Sequence, residues 1–189
     1  PLLATAQVED ASALLGKLFG NGVLSVSALA ALSAEELQSQ YGLAAEQAEA
    51  LAAAAKAESL AQLMTASGNG DEARVRALLE SGSDVHGADE QRWTPLMKAC
   101  SKGHVSCALV LINAGAKLDA ASKDGTTAST IAQKHGHQAV CSLLEMVVSF
   151  APLLTTAQVD NISALLSKLF ANGVTSVTAL AALSAVELQ

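Results

Sequence analysis

The sequence is poor in aromatic residues, proline and cysteine. Aromatic residues make up 3% of the 189 positions, and there are three prolines and three cysteines. Alanine and leucine are abundant, and this composition favours closely packed helices over a β-sheet. An odd number of cysteines without the spacing of a disulfide scaffold indicates buried thiols in a reducing intracellular compartment. The composition does not distinguish the cytoplasm from the interior of an organelle.

Positive charge is also scarce. The formal net charge is −7, and since no segment is basic, binding to a nucleic-acid backbone is disfavoured. No uninterrupted apolar run reaches the length of about 18 residues that a membrane-spanning helix needs. Peripheral attachment to a membrane complex stays open. The expected partners are other proteins in a larger complex, or further copies of this chain.

A repeat of 33 residues occupies the middle of the sequence. Thr94 fits a helix N-cap and is followed by a proline in the first turn, and Gly103 ends that helix. Adding 33 places Gly103-His104 on Gly136-His137. Three helix–turn–helix units are therefore predicted between about residues 59 and 148. Units of this kind bury their apolar faces by stacking on one another.

This unit resembles the ankyrin repeat, whose pattern is T-P-L-H, then A, then G-H, then L-L-x-x-G-A. Met97 replaces the usual His, and the two outer units are degenerate, as terminal caps often are. The resemblance implies an all-α solenoid that binds proteins through its loop tips and its concave helical face. Carried over position by position, the partner-binding residues are Glu90, Gln91, Trp93, Ser101, Lys102, Lys123, Asp124, Thr126, Lys134 and His135.

Trp93 has two interpretations. It is the single tryptophan and falls at a loop tip, and interface hot spots are enriched in tryptophan. Alternatively, it folds back to cover the small stack, because tryptophan is highly buried on average.

Residues 1–58 form a separate helical module. Apolar residues at helical spacing, including Leu15, Leu18 and Phe19, predict an inward-facing first helix that ends near Gly20. A short helix follows Ser25, and a capping box of the form S-x-x-E then predicts another that ends near residue 42. Residues 44–65 contain neither glycine nor proline and predict one long helix that enters the first repeat.

This helical pattern resembles the sterile-alpha-motif (SAM) domain. The likeness rests on the segment L-S-A-E-E-L at residues 32–37 and on Tyr41-Gly42-Leu43 before the long helix. The sequence departs from the family in lacking its early tryptophan. The resemblance implies a module that mediates association.

Residues 152–189 repeat residues 1–38, with 29 of 38 positions identical. The predicted domains are thus a SAM-like module at 1–58, an ankyrin block at 59–150 and a second, truncated SAM-like module at 151–189. The sequence reads as a little over one period of a tandem array, or as a duplicated module that flanks one ankyrin block. Pro152 is expected to end the last ankyrin helix and to produce a bend. The second module is expected to need a lid for its apolar face.

No catalytic, cofactor or metal site is predicted. Cys100, His104 and Cys107 look superficially like metal ligands, but Gly103 breaks the helix between them and core packing explains the thiols. The glycine pattern that begins at Gly68 fits a dinucleotide fingerprint on paper, yet no strand precedes it. The chain is therefore expected to be a non-enzymatic interaction scaffold or linker subunit.

The alternative is a nucleic-acid-binding module of helix-hairpin-helix type. Its hairpin would need a Gly-apolar-Gly turn with basic neighbours to hold a phosphate. The segment Tyr41-Gly42-Leu43-Ala44 offers one glycine and no lysine or arginine.

Overall fold

The part of the chain that the structure describes is all-helical, as predicted. Its structure is a computed structural model that describes residues 2–6 and 11–156. Within these ranges the regular structure is helical apart from an isolated antiparallel bridge between Ala121 and Thr127. None of the helices described is both long and apolar enough to cross a membrane. The helices are α1 (Leu2–Thr5), α2 (Ala11–Gly20), α3 (Val26–Ala30), α4 (Ala34–Tyr41), α5 (Ala45–Asn69), α6 (Glu72–Glu80), α7 (Pro95–Lys102), α8 (Val105–Asn113), α9 (Ala128–Lys134) and α10 (Gln138–Thr156).

Side-chain caps start the short helices where the sequence places them. At the start of α4 the Ser33 N–H donates to the Glu36 carboxylate at 2.7 Å, and the Glu36 N–H donates to the Ser33 hydroxyl at 3.1 Å. These bonds to Ser33 hold the pKa of Glu36 below its ordinary value. Gly42 ends the helix with a φ of 75°, a conformation that glycine adopts without steric cost. The predicted capping box is confirmed.

The 25-residue helix α5 joins the two halves of the fold. Its first half packs on α1, α3 and α4, and its second half packs on α6 and α7. Leu51 and Ala55 belong to the buried cluster of the N-terminal module, whereas Leu63 and Ala66 belong to the cluster of the repeats. The predicted long helix is confirmed. It also crosses residue 58, so the predicted domain boundary falls inside one helix.

The turn after α6 fixes the first repeat against the N-terminal module. The hydroxyl of Ser83 in this turn lies 2.7 Å from that of Ser59 on α5, and both side chains are buried. A Cβ placed on Gly82 would lie 3.0 Å from the Cβ of Ala31. The backbone of this turn therefore lies close to Ala31 of the N-terminal module, in addition to the helix that the two parts share.

The repeats form two layers of helices. Helices α5, α7 and α9 pack side by side as the inner layer, and α6, α8 and α10 form the outer layer. Two equivalent histidines link successive units: His104 Nε2 lies 3.1 Å from the Gly68 carbonyl oxygen, and His137 Nε2 lies 3.1 Å from that of Ser101. Both residues of the second pair follow those of the first by 33 positions, so the repeat places the same hydrogen bond at each interface.

The prediction that Leu15 and Phe19 face inward is wrong. In α2 the buried residues are Leu14 and Leu18, whereas Leu15 is 40% exposed and Phe19 is 57% exposed. Each pair is spaced by four residues, so the two pairs form adjacent rows on the helix surface. Because α2 contacts chiefly α4, only one row reaches the core.

The prediction that Pro152 ends the last ankyrin helix is also wrong. Helix α10 continues through this proline to Thr156. Proline removes one intrahelical hydrogen bond, but its fixed φ of about −65° is close to the helical value, and the following turn can form. The remainder of the predicted second module, residues 157–189, lies outside the residues described, and the expectations about its exposed face stay predictions.

Candidate protein-interaction surface

The connection between α6 and α7, residues 81–94, is organised by one aspartate. We call this connection tip 1. The Asp89 carboxylate accepts the backbone N–H groups of Gln91 at 3.0 Å and of Trp93 at 2.8 Å. The Asp89 N–H donates to the Trp93 carbonyl oxygen at 2.9 Å. Arg92 takes a positive φ of 60° in the turn. These bonds hold the backbone of tip 1 in one conformation.

The connection between α8 and α9, residues 114–127, repeats this turn with different side chains. We call it tip 2. Ser122 stands where tip 1 has aspartate: its N–H donates to the Thr126 carbonyl oxygen at 3.0 Å, and its hydroxyl lies 2.7 Å from that of Thr126. Gly125, with a φ of 73°, occupies the position of Arg92. The two turns therefore share a backbone shape.

The two tips are joined by a backbone hydrogen bond. The Lys123 N–H of tip 2 donates to the Gln91 carbonyl oxygen of tip 1 at 3.0 Å. Glu90, Gln91, Lys123 and Asp124 are all exposed. The structure thus brings four of the residues implied by the resemblance onto one polar surface.

Trp93 lies at the base of tip 1 and is half-buried. Its side chain packs against the core of the repeats, and the Lys98 ammonium lies 4.8 Å from the centre of its ring. The same ammonium lies 3.5 Å from the Asp89 carboxylate. A lysine over a tryptophan face is attracted by the ring quadrupole. Trp93 therefore covers part of the stack while part of it stays accessible.

The residues at the ends of the inner helices differ in their accessibility. Lys102, Lys134 and His135 are exposed, and the His135 ring stacks on that of His137 with centroids 6.1 Å apart. Ser101 is half-buried; its hydroxyl donates to a backbone carbonyl within α7, and its own carbonyl faces His137. Thr126 in tip 2 is likewise half-buried. Ser101 and Thr126 therefore have polar groups already bonded within the chain.

A groove of about 650 Å³ lies between α5, α7 and tip 1, and the sequence did not indicate it. Two of the residues that organise its rim, Asp89 and Lys98, were also missed. The 33-residue period could have located the wall formed by α5, because the residue 33 positions before Trp93 is Leu60. The groove is lined by Ala57, Leu60, Ala61, Met64, Thr65, Gly68, Asn69, Ala88, Asp89, Glu90, Lys98 and Lys102.

The cysteines lie inside the stack as free thiols. Burial, and secondarily the neighbouring Cys141, raises the pKa of Cys100 to about 12. Burial also raises the pKa of Cys107, with Glu72 and Asp71 adding to the effect. Over the residues described, no three His, Cys, Asp or Glu side chains are grouped as metal ligands would be. These thiols serve the packing of the core.

Comparison with known proteins identifies the class to which this surface belongs. Residues 63–149 match the family model described as "Ankyrin repeats (3 copies)", so this part of the chain is a stack of three ankyrin repeats. The match agrees with the 33-residue period read from the sequence. Ankyrin repeats point to protein–protein interaction, and hence to a binding or adaptor role.

Two relatives share part of this stack. "Protein phosphatase 1 regulatory subunit 27" of Mus musculus is 46% identical over 57 residues, and the protein of the same name from Homo sapiens is 44% identical over 57 residues. Each match covers 30% of this chain, and the chain spans 37% of the length of these relatives.

Proposed function

We propose that this protein is a non-enzymatic scaffold or linker subunit that binds a protein partner through tips 1 and 2 and the inner-helix face. The observation that carries the proposal is the backbone hydrogen bond from Lys123 to Gln91, because it joins the two loops into one surface. The names of the relatives lead us to propose protein phosphatase 1 as the partner to test first.

The geometry of the tips favours binding because their backbone is already ordered. The side chains of Asp89 in tip 1 and Ser122 in tip 2 accept hydrogen bonds from backbone N–H groups of their own turns. Glu90 and Asp124 remain exposed. A preorganised loop loses less conformational entropy on binding than a mobile one. Charged side chains at such a rim govern specificity and the rate of association.

The test is a binding titration of protein phosphatase 1 with the full chain and two double variants. Glu90→Lys with Asp124→Lys reverses one charge on each tip. Glu80→Lys with Glu145→Lys makes the same charge change at exposed positions on outer-layer helices. The tip variant should bind about tenfold or more weakly, as expected for charges at an interface, whereas the control should bind like the parent.

Either of two results would count against this proposal. Absence of binding by the parent chain would reject the phosphatase as partner, and equal binding by both double variants would reject the tips as the contact surface. Melting temperatures of all three proteins check that the folds are comparable.

Self-association through the SAM-like module is a second candidate function. Leu15, Phe19 and Leu24 are 40%, 57% and 73% exposed, and they lie within ten residues of one another. The second copy of this sequence repeats two of the three, as Leu166 and Phe170. Leu15 and Phe19 are four residues apart and so lie next to each other on α2, and adjacent exposed apolar side chains are typical of interaction surfaces.

Sedimentation measurements over a range of concentrations test this second function. The change Leu15→Ser with Phe19→Ser should shift the protein towards the monomer, because it removes apolar surface without touching the buried row. Val148, which is 61% exposed on α10, provides the control Val148→Ser. A parent protein that is monomeric throughout would reject self-association.

The nucleic-acid alternative stays a prediction. The structure places Lys17 beside the Gly42 turn, where its ammonium donates to the Tyr41 carbonyl oxygen at 3.2 Å. One of its three N–H donors is therefore engaged by this carbonyl. Clear affinity for DNA at moderate salt, falling steeply as salt rises, would favour this alternative over the scaffold.

A further inference from the structure

The sequence of residues 1–20 occurs again on the C-terminal side of the repeats. Residues 152–171 match it with six substitutions. In the first copy, helix α1 comprises Leu2–Thr5. The corresponding residues of the second copy, 153–156, are the last four of helix α10. This part of the segment is therefore helical in both places.

In the first copy the segment closes the core of the N-terminal module. Helix α1 packs on α5, and α2 packs on α4. The residues that belong to the buried cluster or pack against it are Leu2, Leu3, Ala6, Leu14 and Leu18. All five recur unchanged in the second copy, as Leu153, Leu154, Ala157, Leu165 and Leu169. The substitutions fall at other positions, so the second copy keeps the side chains that fill this core.

Helix α10 extends beyond the length of the repeat. Asn113, the last residue of α8, corresponds to Met146 of α10, and α10 continues to Thr156. At 1.5 Å per residue, this extension is roughly 15 Å long. It ends a helix of 19 residues, whereas α1 has four residues, and a helix that short is unstable by itself. The second copy therefore starts in the conformation that α1 adopts against α5.

We infer that residues 152–171 of one molecule bind to the N-terminal module of a second copy of this chain, in the place of that copy's own α1 and α2. The surface bound is formed by α4 and α5 and includes Leu37 and Leu51 of the buried cluster. The donor segment and the acceptor surface are different parts of the chain, so the contact is head-to-tail and can repeat from molecule to molecule. The inference rests on the proposed self-association, since it names the segment and the surface that join two copies.

The exchange competes with each molecule's own first segment. That segment is tethered to its module and so has a high effective concentration there, and association should therefore increase as the protein is concentrated. Two differences favour the second copy. Its first residues are already ordered as the end of α10. In addition, Ser167 replaces Gly16 of α2, and glycine is the poorer helix former.

The test compares four Leu→Ala variants of the full chain by sedimentation over a range of concentrations. Leu165→Ala removes a core contact from the donor segment, so association should weaken about tenfold or more, as expected for truncating a buried leucine. Leu14→Ala removes the same contact from the competing segment, so association should strengthen by a similar factor. The same substitution at equivalent positions should thus have opposite effects.

The matched controls are Leu15→Ala and Leu166→Ala. Leu15 is 40% exposed, and Leu166 takes its position in the second copy. Both controls should associate within about twofold of the parent, as expected for surface substitutions. The double variant Leu14→Ala with Leu165→Ala should associate less tightly than Leu14→Ala alone, whereas non-specific aggregation of a loosened module would persist in it.

The exchange is overturned if Leu14→Ala associates no more tightly than the parent, or if adding Leu165→Ala to it does not weaken that association. It is also overturned if the parent associates and Leu165→Ala associates equally tightly. Weakening by the two controls, without opposite effects at positions 14 and 165, would assign self-association to the exposed row of α2 instead. The proposed self-association and the exchange can therefore fail separately.

Discussion

The coupling of the two halves through α5 can be tested with a single proline. Ala54 lies on α5 between Leu51, in the core of the N-terminal module, and Leu63, in the core of the repeats. In Ala54→Pro the helix loses the bond from this N–H to the carbonyl oxygen four residues earlier, and the ring clashes with that oxygen. The expected cost is about 3 kcal/mol or more. That is a large share of the roughly 5–15 kcal/mol by which domains are usually stable.

Two natural reporters follow the two halves separately. Tyr41 is buried in the N-terminal cluster, and Trp93 packs on the core of the repeats; each is the single residue of its type in the chain. In urea unfolding of the parent protein, the tyrosine and tryptophan signals should change together. In Ala54→Pro both midpoints should fall and the two transitions should separate, because the two cores no longer share one continuous helix and can unfold independently.

The matched control is the same substitution at the start of the same helix. Ala45 is the first residue of α5, where the N–H has no partner within the helix. The preceding residue, Ala44, has φ −65° and ψ 153°, which is the region preferred before proline. Ala45→Pro should therefore cost little. If Ala54→Pro unfolds at the parent midpoint with coincident transitions, α5 does not couple the halves and the reasoning is refuted.

Three further predictions follow from local features of the stack. Among the residues described, the buried Ser67 hydroxyl has no hydrogen-bond partner, so Ser67→Ala should raise the free energy of unfolding by about 1 kcal/mol. Ser59→Ala should lower the free energy of unfolding, because it breaks the buried hydrogen bond to Ser83. Urea unfolding measures both changes. Gly125→Ala should destabilise by about 1–2 kcal/mol because of its positive φ, and Arg92→Gly at the equivalent position should not destabilise; thermal melts decide this. Burial raises the pKa of Cys100 to about 12, so below that pH the thiolate fraction falls about tenfold for each pH unit. Because the thiolate is the nucleophile, mass spectrometry should find Cys100 unalkylated at pH 8 until the protein unfolds.

Features that depend on neighbouring residues could be read from the sequence. The capping box at Ser33 and Glu36, the stop at Gly42 and the course of α5 all follow from groups within a few residues of one another. The 33-residue period likewise predicted the stack, since each unit repeats the capping, turn and apolar residues at the same spacing. The predicted end of α10 at Pro152 is wrong because a helix can continue beyond the one hydrogen bond that a proline removes.

The candidate site was only partly predictable. The period placed Glu90, Gln91, Lys123 and Asp124 on tips, but it did not show that one backbone hydrogen bond joins the tips. The groove was missed because its walls come from separate units, and the role of Leu60 depends on how tip 1 packs on α5.

The sequence by itself determined where several helices begin, how often the unit repeats, and which residues lie at its turns, because these depend on short-range bonding and on a fixed spacing. Only the tertiary structure decided which apolar row of α2 is buried, since Leu14 and Leu15 have the same local pattern and differ only in what packs against them. It also decided that a helix, and not a turn, forms one wall of the groove beside Lys102. Burial and proximity are set by residues distant in the chain, and a local pattern does not contain them.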